Sequence, residues 1–433
     1  MSSAESAVRI PVVGRVPGLV DQRRLPIIRN GAAVFAATLV WHGSNFAFNS
    51  VAARLLGPNG YSELAAAVTL LYIGSPLLVS IQTTTSRTVT SLSTRGDTVG
   101  IARLLTRLRT RLLLVGAAAV AAGVLFAGLF AHALHLSSGG AVAIVVAGLS
   151  ISLLTHCQRG FLQGQERFGA YAASTASEAI TKVGAAAAIL VLLRRDVDGA
   201  VAAIPLAAAC TLVLNSWLLR GTAAERGETA AHPRARRERP LPTLATFGLL
   251  AVLLSADVLA AKRFLPSHEA GLYAAVSLCG KTTFFATSFL AVFMFPVLSA
   301  RHERGTDARR VLGSALAAVV CCSLLMSAIY ASAPGVVVGP LFGPGFAGAR
   351  PYVGWIGVAF GGYAVVYLCA TSLLAQRRSI GAAILAGIAV LQVAGLAIVH
   401  GSIGAIVDVQ LVVCWTGAAL LATAAFMRRE PGG

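Results

Sequence analysis

Apolar residues run through this chain in stretches of about 20, the length a helix needs to cross roughly 30 Å of hydrocarbon, with short polar or glycine-bearing breaks between them. The pattern predicts twelve spans: 31–53, 62–85, 112–134, 140–157, 170–193, 199–219, 242–262, 271–298, 311–332, 353–374, 380–399 and 403–426. The longest clear break within this series is 220–241, where Glu225, Arg226 and Glu228 lead to Arg234, Arg236, Arg237 and Arg239 and then Pro242. Mixed charge and proline read there as a cytoplasmic linker. The predicted organisation is an N-terminal arm (1–30), an N-lobe (31–219), the linker, a C-lobe (242–427) and a tail (428–433). The fold class that follows is an all-α polytopic membrane protein of two six-helix lobes.

Polar positions inside the spans recur at helical spacing. His42, Asn45 and Asn49 share one face of the first span. Tyr72, Pro76, Ser80, Thr83 and Arg87 share one face of the second, with Gly74 and Pro76 expected to bend it. In the seventh and eighth spans Asp257 and Lys262 are followed by Ser277, Lys281 and Ser288 on one face. A charge at the centre of a span costs about 2.5–3.5 kcal/mol, so such groups face a partner or a water-filled cavity. Lys281 is too deep to reach the surface and reads as a cavity residue. Arg54, Lys262 and Arg263 read either as cavity groups or as side chains reaching the outer head groups, and Arg87 and Arg159 as the same choice at the inner boundary. Glu178 and Lys182 stand at i, i+4, flanked by Ser174 and Thr181, as a salt bridge that is either structural or opened when an anion takes Lys182.

An internal echo joins the halves. Ala52-Ala53-Arg54-Leu55-Leu56-Gly57-Pro58 recurs 208 residues on as Ala260-Ala261-Lys262-Arg263-Phe264-Leu265-Pro266, and the same offset pairs Ala66-Ala67-Val68 with Ala274-Ala275-Val276 and Asn49 with Asp257. An even number of spans per half makes this a parallel repeat, the plan of a transporter whose site lies between its halves.

Composition removes the soluble alternatives. The chain is 56% hydrophobic and 12% charged, against about 25% charged in soluble domains. Its net charge of +18 does not mark a nucleic-acid partner, because 27 of 35 Lys and Arg fall in alternate loops. That is the positive-inside pattern, and it places both termini in the cytoplasm. Residues 86–111 carry Arg103, Arg107 and Arg111 at helical spacing, either a short amphipathic helix on the inner surface or a solvated loop. No cleavable signal peptide is expected, since the first apolar run is of full span length and follows a polar arm suited to anionic lipid. All seven cysteines fall in spans or at their ends without metal-ligand spacing and read as packing residues. No cofactor or metal motif is present.

Phe48-Asn49 through Arg54, Gly57-Pro58 and Gly60-Tyr61, with Gln82 and Arg87 beyond, resembles the opening of the polysaccharide biosynthesis exporters, the bacterial oligosaccharide flippases. Arg159-Gly160 through Gln163-Gly164 and Arg167-Phe168, then Glu178 and Lys182, resembles the same family, as does Asp257 through Lys262 and Pro266 to Gly271-Leu-Tyr273, then Lys281, Pro296 and Arg301. Such proteins belong to the multidrug/oligosaccharidyl-lipid/polysaccharide exporter superfamily. The resemblance implies a central cavity open alternately to each side and a polyprenyl-diphosphate-linked glycan as cargo, with membrane lipids and a glycan polymerase or glycosyltransferases as partners. Diphosphate recognition calls for cations. Arg87, Lys182 and Lys281 are the expected phosphate ligands, Asn45, Asn49 and Gln82 the expected sugar ligands, and Asp257 or Glu178 the expected site for a coupling ion.

Rival readings are a cation-coupled multidrug or metabolite antiporter and a lipid II flippase of the same superfamily. A membrane-embedded glycosyltransferase should show paired carboxylates in an outer loop. The longest outer loop, 333–352, has only Arg350 charged. An assembly scaffold has no need of buried lysines.

Overall fold

The computed structural model describes residues 24–193, 196–220, 241–303, 309–376 and 378–427, with side chains described except in 24–35 and 288–303. The expected linker (221–240), the tail from 428, the arm to residue 23 and the side chains of Ser288, Pro296 and Arg301 lie outside the described residues. The N-lobe comprises α1 (Arg24–Ser93), α2 (Thr98–Ala133), α3 (Gly140–Gly164), α4 (Phe168–Ala188, continued by a π-helical turn) and α5 (Val197–Leu218). The C-lobe comprises α6 (Leu241–Phe264), α7 (Ser267–Glu303), α8 (Arg309–Ser332), α9 (Pro334–Phe342), α10 (Val353–Ala375), α11 (Ile380–Ile398) and α12 (Ile403–Phe426).

Among the described residues ten helices are long and apolar enough to cross a membrane. The first holds two crossings, because α1 turns back at Gly57, whose φ of 66° and ψ of 178° leave the helical region and suit a residue without Cβ. In a straight helix Asn49 and Tyr61 would stand about 18 Å apart, yet the Tyr61 hydroxyl donates to Asn49 Oδ1 at 3.3 Å. The other crossing of the predicted twelve is α7. Within the second limb of α1, Pro76 cannot donate to the Tyr72 carbonyl, and the Ser75 hydroxyl does so instead at 2.7 Å. The limb stays helical through Gly74 and Pro76.

Small residues set the spacing inside the N-lobe. A Cβ on Gly160 would lie 2.6 Å from the Gln82 carbonyl oxygen, and one on Gly164 2.6 Å from that of Ser86. This Gly-xxx-Gly stripe lets α3 lie directly on the second limb of α1.

The N-lobe meets the C-lobe chiefly through α1, which packs on α6 and α7. Among the described residues they meet closely at the end of the molecule that holds the Gly57 turn. Gly271 leaves no room for a Cβ beside the Pro58 carbonyl, only 1.9 Å from where it would sit. Buried Lys262 donates to Ser62 at 3.0 Å across the lobes, and Tyr61 stacks edge-on against Phe346. Arg54 donates to the carbonyls of Gly339, Pro340 and Leu341 in the last turn of α9. Lys262 and Arg54 therefore hold the lobes together instead of reaching for head groups.

Two expectations change. Residues 86–111 form no separate surface helix: the second limb of α1 runs to Ser93, and Asp97 caps α2 by accepting from the Gly100 amide at 2.7 Å. Arg103, Arg107 and Arg111 ride on the first turns of that 36-residue helix. The predicted loop 333–352 is helical throughout most of its length, as α9 and a following 3-10 stretch, Pro344–Tyr352.

Candidate functional site

Each lobe holds one polar cluster among its helices. In the N-lobe, α3 brings Arg159, α4 brings Ser174, Glu178 and Lys182, and the first limb of α1 brings Trp41 and Asn45. Arg159 meets Glu178 Oε2 at 2.6 Å, with both side chains less than a tenth exposed. The guanidinium also donates to the Ser174 hydroxyl and carbonyl, each at 3.0 Å, and lies 5.6 Å from the Trp41 ring centre. Fixed bonds on several sides suit a buried ion pair, which otherwise loses more in desolvation than it regains.

The expected Glu178–Lys182 bridge is not formed. Arg159, from the neighbouring helix, takes the carboxylate, because α3 continues past the apolar stretch and carries Arg159 inside the lobe. Lys182 donates to Asn45 Oδ1 and faces the rings of Trp41 and Phe48 at 5.1 and 5.5 Å. Among the described residues it has no salt bridge, and its near contacts are an amide and π faces.

In the C-lobe, Asp257 on α6 is fully buried. Its Oδ2 accepts from the Tyr273 hydroxyl at 2.9 Å and the Ser277 hydroxyl at 2.7 Å, both from α7, while Oδ1 has no hydrogen-bond partner. Gln392 of α11 donates to the Leu253 carbonyl and to Gln410 of α12, both at 2.9 Å. That leaves Gln392 Oε1 and Gln410 Nε2 buried without partners. One turn beyond Ser277, Lys281 is buried with its ammonium 5.7 Å from the Tyr72 ring of the N-lobe. A second contact between lobes, His42 against Phe285 at 4.6 Å, lies close by.

The structure thus gathers Asn45, Glu178 and Lys182 in one cluster and Asp257 and Lys281 in the other. Asn49 is turned away into the α1 hairpin, where its amide donates to the Asn45 carbonyl at 2.8 Å and its oxygen takes Tyr61. Gln82 and Arg87 stand about 15 and 22 Å further along the limb from Tyr72. Gln82 there bonds Gln163 at 3.2 Å, and Arg87 is exposed. Sequence reasoning missed Trp41, Tyr273, Gln392 and Gln410. Trp41 adjoins the His42 stripe, and Tyr273 stands one turn before Ser277 on its face; the two glutamines had no partner in view until α11 and α12 were placed against α6.

The second half has a contact of the same kind as the first, made by a tyrosine at a different position. Asn49 with Tyr61 and Asp257 with Tyr273 each join a polar residue near the end of one helix to a tyrosine of the next.

No protein-family model matches the chain, and no curated protein matches it in sequence. Solved structures do match its fold. It superposes on an inward-facing multidrug-resistance MATE transporter of the MOP superfamily with a TM-score of 0.72 and 13% identity, over 88% of this chain and 94% of that one. Against the lipid II flippase MurJ in an inward closed conformation the TM-score is 0.66 at 9% identity, over 92% and 88%. A MOP-superfamily transporter from Pyrococcus furiosus, described as having a binding pocket of reverse polarity, gives 0.59 at 14% identity, over 92% and 95%. These three are transporters, not enzymes. The chain has the two-lobed, all-helical membrane fold of MATE and MurJ transporters.

Proposed function

We propose that the protein flips a polyprenyl-diphosphate-linked oligosaccharide or polysaccharide precursor across the plasma membrane by alternating access. The observation that carries this reading is the pair of intramembrane lysines, Lys182 and Lys281, one from each lobe and neither in a salt bridge among the described residues. An anion that both could reach would relieve two buried charges at once, which apolar cargo could not do. Asn45 supplies an amide beside Lys182 for sugar hydroxyls, while Arg87 and Gln82 would meet cargo further along the path. The Arg distribution favours cytoplasmic termini, and in that orientation the end where Pro58, Gly271 and Arg54 bring the lobes together faces outward.

Ion coupling falls to Asp257, whose free oxygen and neighbouring hydroxyls suit a proton or small cation; Glu178 is occupied by Arg159. A second reading, cation-coupled antiport of a drug or metabolite, rests on the same Asp257.

Flipping of a fluorescent polyprenyl-diphosphate sugar in proteoliposomes tests the proposal. Wild type should transport it, and Lys281→Ala should lose at least tenfold while remaining monodisperse. Asp257→Asn should abolish dependence on the ion gradient, and Glu178→Gln should leave it. No transport by well-folded wild type, together with gradient-driven drug efflux, would replace flipping with antiport.

A further inference from the structure

One tryptophan ring in the N-lobe serves two cations of unequal freedom. Trp41, Asn45 and Phe48 stand at i, i+4 and i+7 and share one face of the first limb of α1. Lys182 of α4 lies across that face, in contact with all three. The Lys182 ammonium is 5.1 Å and the Arg159 guanidinium 5.6 Å from the Trp41 ring centre. Arg159 is locked, because it is 3% exposed and bonds Glu178 as well as both oxygens of Ser174. Lys182 is half-buried, as are Trp41 and Asn45, so these side chains reach the surface of the lobe while Arg159 and Glu178 are sealed within it. His42, next in sequence to Trp41, touches Phe285 at 4.6 Å, which puts the group beside the C-lobe.

On its own helix the natural partner of Lys182 is Glu178, one turn back. In a low-dielectric interior that pair would hold the ammonium firmly, and an incoming anion would have to break it first. An aromatic face acts differently. Its quadrupole attracts a cation without neutralising it, and among aromatic side chains tryptophan does so best. The ring therefore keeps the ammonium in place with its charge still available.

We infer that Trp41 is a positioning residue for anion capture: it holds the Lys182 ammonium away from Glu178 and yields it when a phosphate group arrives. The inference rests on the reading of Lys182 as a ligand of anionic cargo. A phosphate oxygen is a charge-assisted acceptor and outcompetes both the ring and the Asn45 amide. The transfer disturbs little else, since Arg159 keeps its place against the ring through bonds of its own. With the ring gone, Lys182 turns to Glu178 and the anion loses its ligand.

The emission of Trp41 reads this step, because indole emission shifts with the charge held over its ring. The chain has four tryptophans, and the other three, Trp217, Trp355 and Trp415, are exposed, so replacing them by Phe leaves Trp41 alone to be observed. Farnesyl diphosphate added to this single-tryptophan protein should move its emission to that of the same protein carrying Lys182→Met, whose own emission should not respond. In calorimetry the probe should bind about fivefold more weakly to Trp41→Leu but stay within about twofold of wild type in Trp41→Phe, which keeps an aromatic face. Both substitutions shrink the side chain, so a loss of packing alone would weaken both variants. Diphosphate that binds without moving the emission overturns the inference and leaves the cargo reading intact, as does unchanged binding by Trp41→Leu. Well-folded wild type that binds no diphosphate overturns both.

Discussion

In the N-lobe the carboxylate of Glu178 meets a guanidinium at 2.6 Å, whereas in the C-lobe the equally buried Asp257 receives two hydroxyls and keeps one oxygen free. The two lobes share a hairpin with a tyrosine reaching back to a polar residue, but they have parted in how they meet charge. A carboxylate held by Arg159 from several fixed bonds is a structural joint. One held by hydroxyls can exchange its proton or cation without taking the lobe apart. The two frames are similar, and in the proposed reading one serves rigidity and the other ion coupling.

The comparison breaks first, and by the largest amount, at the N-lobe joint. Arg159→Met should lower stability by about 3–5 kcal/mol, because it strands Glu178 in the interior. The double change Arg159→Met/Glu178→Leu should recover most of the loss, as read by unfolding in mixed micelles. A double variant no more stable than the single would show that the two do not act as a unit.

Tyr273→Phe sharpens the comparison in the C-lobe. It removes a hydrogen bond to a carboxylate and should cost about 1.5–3 kcal/mol in the same assay. The smallest effect belongs to Tyr61→Phe, which removes a longer bond to a neutral amide and should cost about 0.6 kcal/mol, the average for such bonds in a membrane. Equal losses for the two tyrosines would mean that the proposed contrast between the lobes fails.

The helices extend beyond the apolar windows that predict them. α3 runs to Gly164 and α2 begins at Thr98, against expected bounds of 157 and 112. Hydropathy reports where a helix leaves hydrocarbon, and the backbone continues for as long as packing and capping support it. That difference moved Arg159 from a presumed boundary into the lobe and gave Arg103, Arg107 and Arg111 a continuous helix to stand on.

The order of apolar stretches determined by itself that the chain is helical, polytopic and divided near its middle, because a bilayer leaves the backbone few other ways to satisfy its hydrogen bonds. Helical period likewise placed Asn45, Lys182, Asp257 and Lys281 on polar faces. Only the tertiary structure decided the partners. Glu178 and Lys182 satisfy every local rule for a pair, yet Arg159 from another helix lies nearer, and Lys182 turns to Asn45 and Trp41. Lys262 looked free to reach water until Ser62 of the other lobe met it. Spacing along one helix states which side chains share a face, but a low-dielectric interior gives the interaction to whichever opposite charge or donor packing brings closest.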